Sequence, residues 1–274
     1  MTFGKEIRWR RLFHRASGRM VTLAIDHGTA YKFELPPALA SIAETVRMFL
    51  QDPPDAIVAQ EGLFGEVLKP FAGKVPLILQ TISITPSAPD DSYVVSTVED
   101  AVALGADAVA MAVSVGGAAQ RSALSMLGEL VRRARPLGLP VIAHVYPLGE
   151  AFRGAEYSPS AVAYSARAGA EVGADVVKVH YTGDRESFAK IVRDTPIGVV
   201  AAGGPRLESA GAVLAMARDV AWSGALGLTI GRNLWEDPRP AALLKAIHSV
   251  VHENVSPEDA ERTYGGSLDT IRPS

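Results

Sequence analysis

Short runs of apolar residues, many of them β-branched, alternate along this chain with longer stretches in which apolar residues recur at helical spacing. Runs of about four to eight apolar residues are typical of buried strands, and longer amphipathic stretches are typical of helices. Eight strands are predicted, at residues 21–26, 56–60, 76–82, 108–114, 140–146, 175–181, 197–202 and 226–230. Helices are predicted between and after them, among them 37–50, 120–135, 159–172, 209–223 and 240–252.

The order of these elements predicts an α/β fold. Near-continuous apolar strands that alternate with helices indicate a parallel sheet covered on both faces. Eight such units in about 250 residues match a (β/α)8 TIM barrel. An open doubly wound sheet is the alternative, and a GxGxxG motif after the first strand would favour it, but the chain reads Asp26-His27-Gly28 there. No linker or break in composition divides the chain, so residues 1–274 are predicted to form a single domain.

Composition and charge narrow the function classes. Hydrophobic residues make up 48% of the chain, which indicates a globular protein. The net charge of −3 does not indicate the basic surface that nucleic-acid-binding proteins have. No apolar run approaches the ~20 residues that a membrane-spanning helix needs. The absence of cysteine excludes disulfides, thiolate zinc sites and a cysteine nucleophile.

The two ends of the chain carry separate expectations. Residues 1–19 are basic and lack the apolar region of a signal peptide, so we expect them to cap the barrel base. Residues 255–274 are expected to form a C-terminal tail, and the protein is expected to be cytoplasmic.

Lys178 lies in the middle of the sixth predicted strand, next to Val177 and Val179. A lysine is costly to desolvate, so one set into an apolar strand lies at the surface end, is paired, or is used chemically. Desolvation favours the neutral amine, which can act as a nucleophile. Lys178 is therefore a candidate catalytic residue.

Other polar residues stand where predicted strands end, which is where TIM barrels place their active sites. Because strand side chains alternate, Lys178 shares a face with His180, and Tyr146 shares one with His144. If those faces point inward, Lys178 and Tyr146 converge with Asp26, at the end of the first strand, near the barrel mouth. The two histidines are expected to line the substrate.

Two glycine motifs follow the last two predicted strands: Gly203-Gly204 and Gly231-Arg232. The loops after strands seven and eight of such barrels often bind phosphate through backbone amides. Glycine lets the main chain approach the phosphate closely, and Arg232 supplies a forked cation. The pair predicts a phosphate site.

Together these residues resemble the class I aldolase family of the archaeal-type fructose-bisphosphate aldolases, with aminodideoxyheptulosonate synthase and autoinducer-2 phosphate thiolase as relatives. The matching segments cover nearly the whole chain in order. They are residues 4–13, 24–28, 146–149, 175–178, 181–184, 203–206 and 231–235.

The resemblance implies a role for each matching residue. Lys178 corresponds to the Schiff-base lysine, Tyr146 to the tyrosine that acts as general acid and base, and Asp26 to the aspartate that assists proton transfer. Gly203, Gly204, Gly231 and Arg232 correspond to the substrate phosphate site. The resemblance further implies a phosphorylated small-molecule substrate, no cofactor, no metal, no nucleic acid or membrane partner, and a homo-oligomer.

Three positions depart from the archaeal aldolase pattern. That pattern reads Trp-x-Tyr-Pro-Arg-Gly at the fifth strand and has lysine two residues after the Schiff-base lysine. Here His144 and Leu148 stand in the first motif, and His180 replaces that lysine. Two cations are missing at the end of the site far from the bound phosphate, so the resemblance does not extend to a second phosphate.

The sequence therefore predicts a class I aldolase that cleaves or forms a C–C bond in a phosphorylated ketose. A thiolase or transaldolase-type synthase of the same family is the alternative. A metal-dependent enzyme using Asp26, His27, His144 and His180 is a further alternative, although His27 is expected to face away from Asp26. A barrel that binds sugar phosphates without catalysis is the last.

Overall fold

A closed barrel of parallel strands forms the centre of the computed structural model, which describes residues 2–29, 35–85 and 88–266. The strands in this part of the chain are β1 (Met20–Ala24), β2 (Ala56–Ala59), β3 (Leu77–Thr85), β4 (Ala88–Val94), β5 (Ala108–Ser114), β6 (Val141–Tyr146), β7 (Val176–His180), β8 (Gly198–Ala202) and β9 (Gly227–Ile230). All except β4 are parallel, and β1 pairs with both β2 and β9, which closes the ring.

Helices surround the barrel. In the described residues they are α1 (Phe3–Leu12), α2 (Pro37–Ala40), α3 (Ile42–Arg47), α4 (Val98–Ala103), α5 (Gln120–Leu137), α6 (Pro159–Val172), α7 (Arg185–Asp194), α8 (Ala210–Trp222), α9 (Arg232–Trp235), α10 (Pro240–His252) and α11 (Pro257–Gly266). No helix in these ranges is long and apolar enough to cross a membrane. The TIM barrel predicted from the sequence is confirmed.

The predicted strands match the eight parallel strands, but three local expectations were wrong. Strand β4 was missed; it pairs antiparallel with β3 as a hairpin. The single helix predicted at 37–50 is two short helices that meet at Ser41. Strand β1 ends at Ala24, so Asp26 begins a 3-10 turn (Asp26–Thr29) and does not continue the alternation of the strand.

The inside of the barrel holds one cluster of buried side chains, and the space between strands and helices holds another. Ala24, Ile142 and Val176 belong to the inner cluster. Val177 and Val179 belong to the outer one. Because alternate residues of a strand point to opposite faces, Lys178 and His144 therefore point inward, as the sequence predicted.

Helix α1 lies across the N-terminal ends of the strands. Its Leu12 packs into the inner cluster. Lys5 Nζ lies 2.6 Å from an oxygen of Asp175, just before β7, and Arg8 donates to the Gly138 carbonyl at 3.3 Å. At the other terminus α11 packs against α8 and α10, and residues 267–274 of the predicted tail lie outside the described residues.

Candidate active site

Lys178 is a buried side chain in the barrel interior. Strand pairing sets it between His144 of β6 and Val200 of β8, and it is only 5% exposed. Among the described residues, no carboxylate oxygen lies within 4.0 Å of its Nζ. Burial without an acidic partner penalises a charged group, and the neutral amine is the form that attacks a carbonyl.

Three histidines surround this lysine, and each has a lowered pKa. Burial is the largest cause at all three. It holds the pKa of His144, which is 3% exposed, well below its usual range, and it lowers the pKa of His180 to about 4. Burial also lowers the pKa of His27, against the opposing effect of Asp26. A nearby Lys178 ammonium lowers the pKa of all three, so at neutral pH the lysine is set among uncharged imidazoles.

Two tyrosines pack against His180. The Tyr146 ring centroid lies 5.1 Å from that of His180, and the Tyr157 ring stacks on His180 at 4.4 Å. Burial raises the pKa of Tyr157, and Arg232 partly offsets the rise. The buried Nδ1 of His180 has no hydrogen-bond partner among the described residues. Tyr157 could not be found from the sequence pattern, because it lies in the irregular segment between β6 and α6.

Asp26 and His27 form a pair at the end of β1. Asp26 Oδ1 lies 3.4 Å from His27 Nδ1, so the expectation that His27 faces away from Asp26 was wrong. The 3-10 turn is the reason, since adjacent residues of a turn do not alternate as in a strand. Trp235 holds the position: its indole N–H donates to the Ala24 carbonyl at 3.0 Å, and its ring meets the His27 ring edge-on at 5.7 Å.

The loops after β8 and β9 are tied together by two side chains of α9. Asn233 Nδ2 donates to the Gly203 and Pro205 carbonyls at 2.7 and 2.8 Å, and its Oδ1 accepts from the Leu207 amide at 2.7 Å. Arg232 donates to the Gly204 carbonyl at 3.0 Å. Arg232 was predicted as a site residue from the sequence, but Asn233 was not, because its role depends on contacts between two loops.

At two of the predicted phosphate positions, steric crowding disfavours any residue larger than glycine. A Cβ at Gly231 would lie 2.6 Å from His27 Cε1, and one at Gly203 would lie 3.2 Å from Ile230 Cα. The Gly203 amide already donates to the Thr229 carbonyl at 2.8 Å. Gly203 therefore shapes the loop, which leaves Gly204, Gly231 and Arg232 as the candidates for direct contact with an anion.

The predicted residues thus share one end of the barrel. Lys178, His144, His180 and Tyr146 lie on the adjacent strands β6 and β7, and the Arg232 charge lowers the pKa of both His27 and His180. Within residues 2–29, 35–85 and 88–266, however, Asp26, His27, His144 and His180 supply no set of three ligand atoms close enough to share a metal ion.

Comparisons with known proteins identify the family of the chain. A family model described as DeoC/LacD family aldolase matches residues 20–237. The 2-amino-3,7-dideoxy-D-threo-hept-6-ulosonate synthase of Halobacterium salinarum is 33% identical over 270 residues, covering 97% of this chain and 98% of that protein. The 2-amino-4,5-dihydroxy-6-oxo-7-(phosphonooxy)heptanoate synthase of Streptomyces griseus is 28% identical over 97% of this chain and 96% of its own length.

A solved structure is similar over most of the chain. It is that of an archaeal fructose-1,6-bisphosphate aldolase with its catalytic lysine covalently bound to the carbinolamine intermediate of the substrate. The two chains superpose with a TM-score of 0.82 at 30% identity, covering 91% of this chain and 99% of the aldolase.

Proposed function

The chain belongs to the DeoC/LacD aldolase family as a class I aldolase, a lyase, and we propose that Lys178 forms its Schiff base with a phosphorylated ketose. The observation that carries this proposal is the position of Lys178: inward-facing, 5% exposed, and without an acidic partner within 4.0 Å in the described residues. The homo-oligomer and the cytoplasmic location stay predictions.

The amine of Lys178 attacks the ketone carbon, and the resulting carbinolamine loses water to give an iminium. The iminium accepts the electron pair of the neighbouring C–C bond as that bond breaks, so an aldehyde leaves and an enamine remains. Protonation of the enamine and addition of water then release the ketone product and restore the free amine. Run in reverse, the same steps form the C–C bond.

Tyr146 is the proposed general acid and base. It stands at the end of β6 beside the ring of His180, on the strand next to Lys178. In its phenolate form it takes the proton of the aldol hydroxyl as the bond breaks, and the resulting phenol returns that proton to the enamine. Asp26 assists the loss of water from the carbinolamine. Because Asp26 lies 3.4 Å from His27 and is not paired with Lys178, it does not hold the lysine in the ammonium form before attack.

The loops after β8 and β9 are the proposed phosphate site. Gly204, Gly231 and Arg232 contact the phosphate, and Gly203 allows the close packing that brings the loops together. Holding the phosphate fixes the carbonyl beside Lys178, and such positioning can supply a large part of a rate enhancement.

The far side of the site favours a substrate with one phosphate. His180 stands where the archaeal aldolase pattern has a lysine, and His144 lies beside Lys178 on the adjacent strand. The lowered pKa values of both histidines keep them uncharged at neutral pH. Uncharged rings offer little to a second phosphate dianion. We therefore expect fructose 1-phosphate to be used at least as well as fructose 1,6-bisphosphate.

Borohydride trapping tests the role of Lys178. The enzyme is incubated with dihydroxyacetone phosphate and reduced, and the adduct is located by peptide mass spectrometry. We expect the added mass on the peptide that contains Lys178, its loss in Lys178→Ala, and its retention in Lys190→Ala, a matched variant at an exposed lysine paired with Asp194. Trapping that persists in Lys178→Ala would refute the assignment.

Tyr146→Phe separates adduct formation from turnover. This variant should still be trapped by borohydride, because the amine is intact, but its turnover should fall by about 10²–10⁴. Normal turnover would show that another group moves the proton.

A transaldolase-type synthase is the second candidate. The synthase from Halobacterium salinarum, matched over 97% of this chain, favours it. The chemistry would begin with the same adduct at Lys178, but the enamine would be passed to a second aldehyde. Product analysis with and without an acceptor aldehyde, and with coenzyme A for the thiolase alternative, distinguishes these outcomes.

A further inference from the structure

A second cluster of ligand-type side chains lies at the opposite end of the barrel from Lys178. Asp55 directly precedes β2, and His248 and His252 lie one turn apart on α10. One potential ligand atom from each of the three lies within 4.8 Å of the others. No local sequence pattern predicts this cluster, because Asp55 is almost 200 residues from the two histidines in the chain.

The spacing of these atoms is close to that of a tetrahedral metal site. His252 Nε2 lies 3.0 Å from Asp55 Oδ2. Zinc bonds of about 2.0–2.1 Å in tetrahedral geometry separate neighbouring ligand atoms by roughly 3.3 Å. One pair is therefore already at ligand spacing, and the third ligand needs a shift of only about 1–1.5 Å, within the reach of a side-chain rotation.

Hydrogen bonds within the protein account for Asp55 and His252 but not for His248. Asp55 and His252 form a hydrogen-bonded pair that needs no metal. His248 Nε2, however, is buried and has no hydrogen-bond partner among the described residues. A buried polar atom without a partner is uncommon and calls for an explanation such as an ion or water.

The groups around the cluster hold the other two ligands in place. Asp55 Oδ2 accepts from the Val21 amide at 2.7 Å. His252 Nδ1 lies 2.8 Å from Ser17 Oγ, which leaves Nε2 directed at Asp55, and the His14 ring stacks on His252 at 4.3 Å. Metal-binding histidines usually have the other ring nitrogen fixed in this way.

We propose that Asp55, His248 and His252 bind a divalent transition metal of the zinc class, with water as the fourth ligand. One carboxylate and two imidazoles are a donor set that zinc accepts. The ion would tie α10 to the start of β2. It would lie at the end of the strands away from Lys178, so its role would be structural.

Metal binding is tested on the full chain after removal of metals with a chelator. Zn²⁺ is titrated by calorimetry, and Co²⁺ by its visible absorption, which reports tetrahedral geometry. We expect one equivalent of each to bind, a rise of Tm by about 5 °C with excess Zn²⁺, and no effect of Mg²⁺.

Variants locate the ion. His248→Ala and Asp55→Asn should each weaken Zn²⁺ binding at least about tenfold, whereas His180→Ala, which removes a histidine from the other end of the barrel, should leave it unchanged. Wild-type protein that binds less than half an equivalent overturns the proposal, as does binding that is lost in His180→Ala but kept in His248→Ala. Borohydride trapping at Lys178 should proceed in the presence of chelator, so a failure here is distinct from a failure of the proposed function.

Discussion

Replacing Asn233 by alanine tests how the loops after β8 and β9, the proposed phosphate site, are held together. Asn233 is 5% exposed, and its side chain makes three hydrogen bonds, all to backbone groups of the loop after β8. The substitution removes all three and leaves the Gly203 and Pro205 carbonyls without this donor. The expected result is a less stable protein with a loosened phosphate site.

The magnitude follows from the number and burial of these bonds. A typical intramolecular hydrogen bond contributes about 1 kcal/mol net, so the loss of three lowers the free energy of unfolding by about 3 kcal/mol. For a chain of this size that corresponds to a fall in Tm of about 6–12 °C. Asn233→Asp keeps an acceptor for the Leu207 amide but sets a carboxylate against two carbonyl oxygens. It should therefore be at least as destabilising as alanine.

The assay combines thermal unfolding with a separation of binding from chemistry. Because Asn233 positions the loops without touching the reacting atoms, KM for the phosphorylated substrate should rise more than kcat falls. Ser122→Ala is the matched control; it removes one exposed hydrogen bond, to the Ala119 carbonyl, and should change stability by less than about 0.5 kcal/mol. If Asn233→Ala melts within about 2 °C of the wild type, the three bonds do not hold the loops as argued.

Two further predictions concern packing and pH. A Cβ at Gly149 would lie 2.0 Å from the backbone carbon of Gly116, so Gly149→Ala should lower the free energy of unfolding by more than about 2 kcal/mol in chemical denaturation. Gly62→Ala is the control and should be nearly neutral, because a Cβ there would meet nothing within 4 Å. Equal denaturation midpoints for the two variants would contradict the prediction. Burial lowers the pKa of His180 to about 4 in the folded protein. As the pH drops below ~6.5, this histidine is therefore protonated in the unfolded chain before it is protonated in the folded one, so the free energy of unfolding should decrease between pH ~6.5 and about 4. With a discount for the partial exposure of His180, this decrease should be about 1–2 kcal/mol smaller in His180→Gln than in the wild type. If the free energy of unfolding of the variant depends on pH as that of the wild type does, His180 is not the group responsible.

Much of this architecture could be predicted from the chain because its local signals agree with one another. Apolar strands, amphipathic helices and the glycines that end helices all favour the same barrel. Gly173 ends α6 in the left-handed conformation at φ 104°, directly before the strand that carries Lys178. Period-two alternation then directed Lys178 and His144 inward without any knowledge of their neighbours.

The features that were missed depend on tertiary contacts or contradict local propensity. Strand β4 contains Pro89, Asp90 and Asp91, residue types that are depleted in strands, and it forms because β3 offers an edge beside it. The pairing of Asp26 with His27 follows from the early end of β1, which no periodic pattern marks. Helix α9 has only four residues, so sequence alone gave no reason to set Asn233 against a loop almost 30 residues away.

The three neutral histidines give the candidate site an electrostatic character suited to imine chemistry. A Lys178 ammonium lowers the pKa of His27, His144 and His180, and an iminium at the same nitrogen carries the same positive charge. The imidazoles therefore stay uncharged through the reaction and add no like charge that would oppose iminium formation. In the proposed mechanism, Asp26 and the substrate phosphate, proposed to lie near Arg232, supply the balancing negative charge. On this argument a bound phosphate favours the iminium as well as positioning the ketone, so a ketone without phosphate should be trapped more slowly even at saturating concentration.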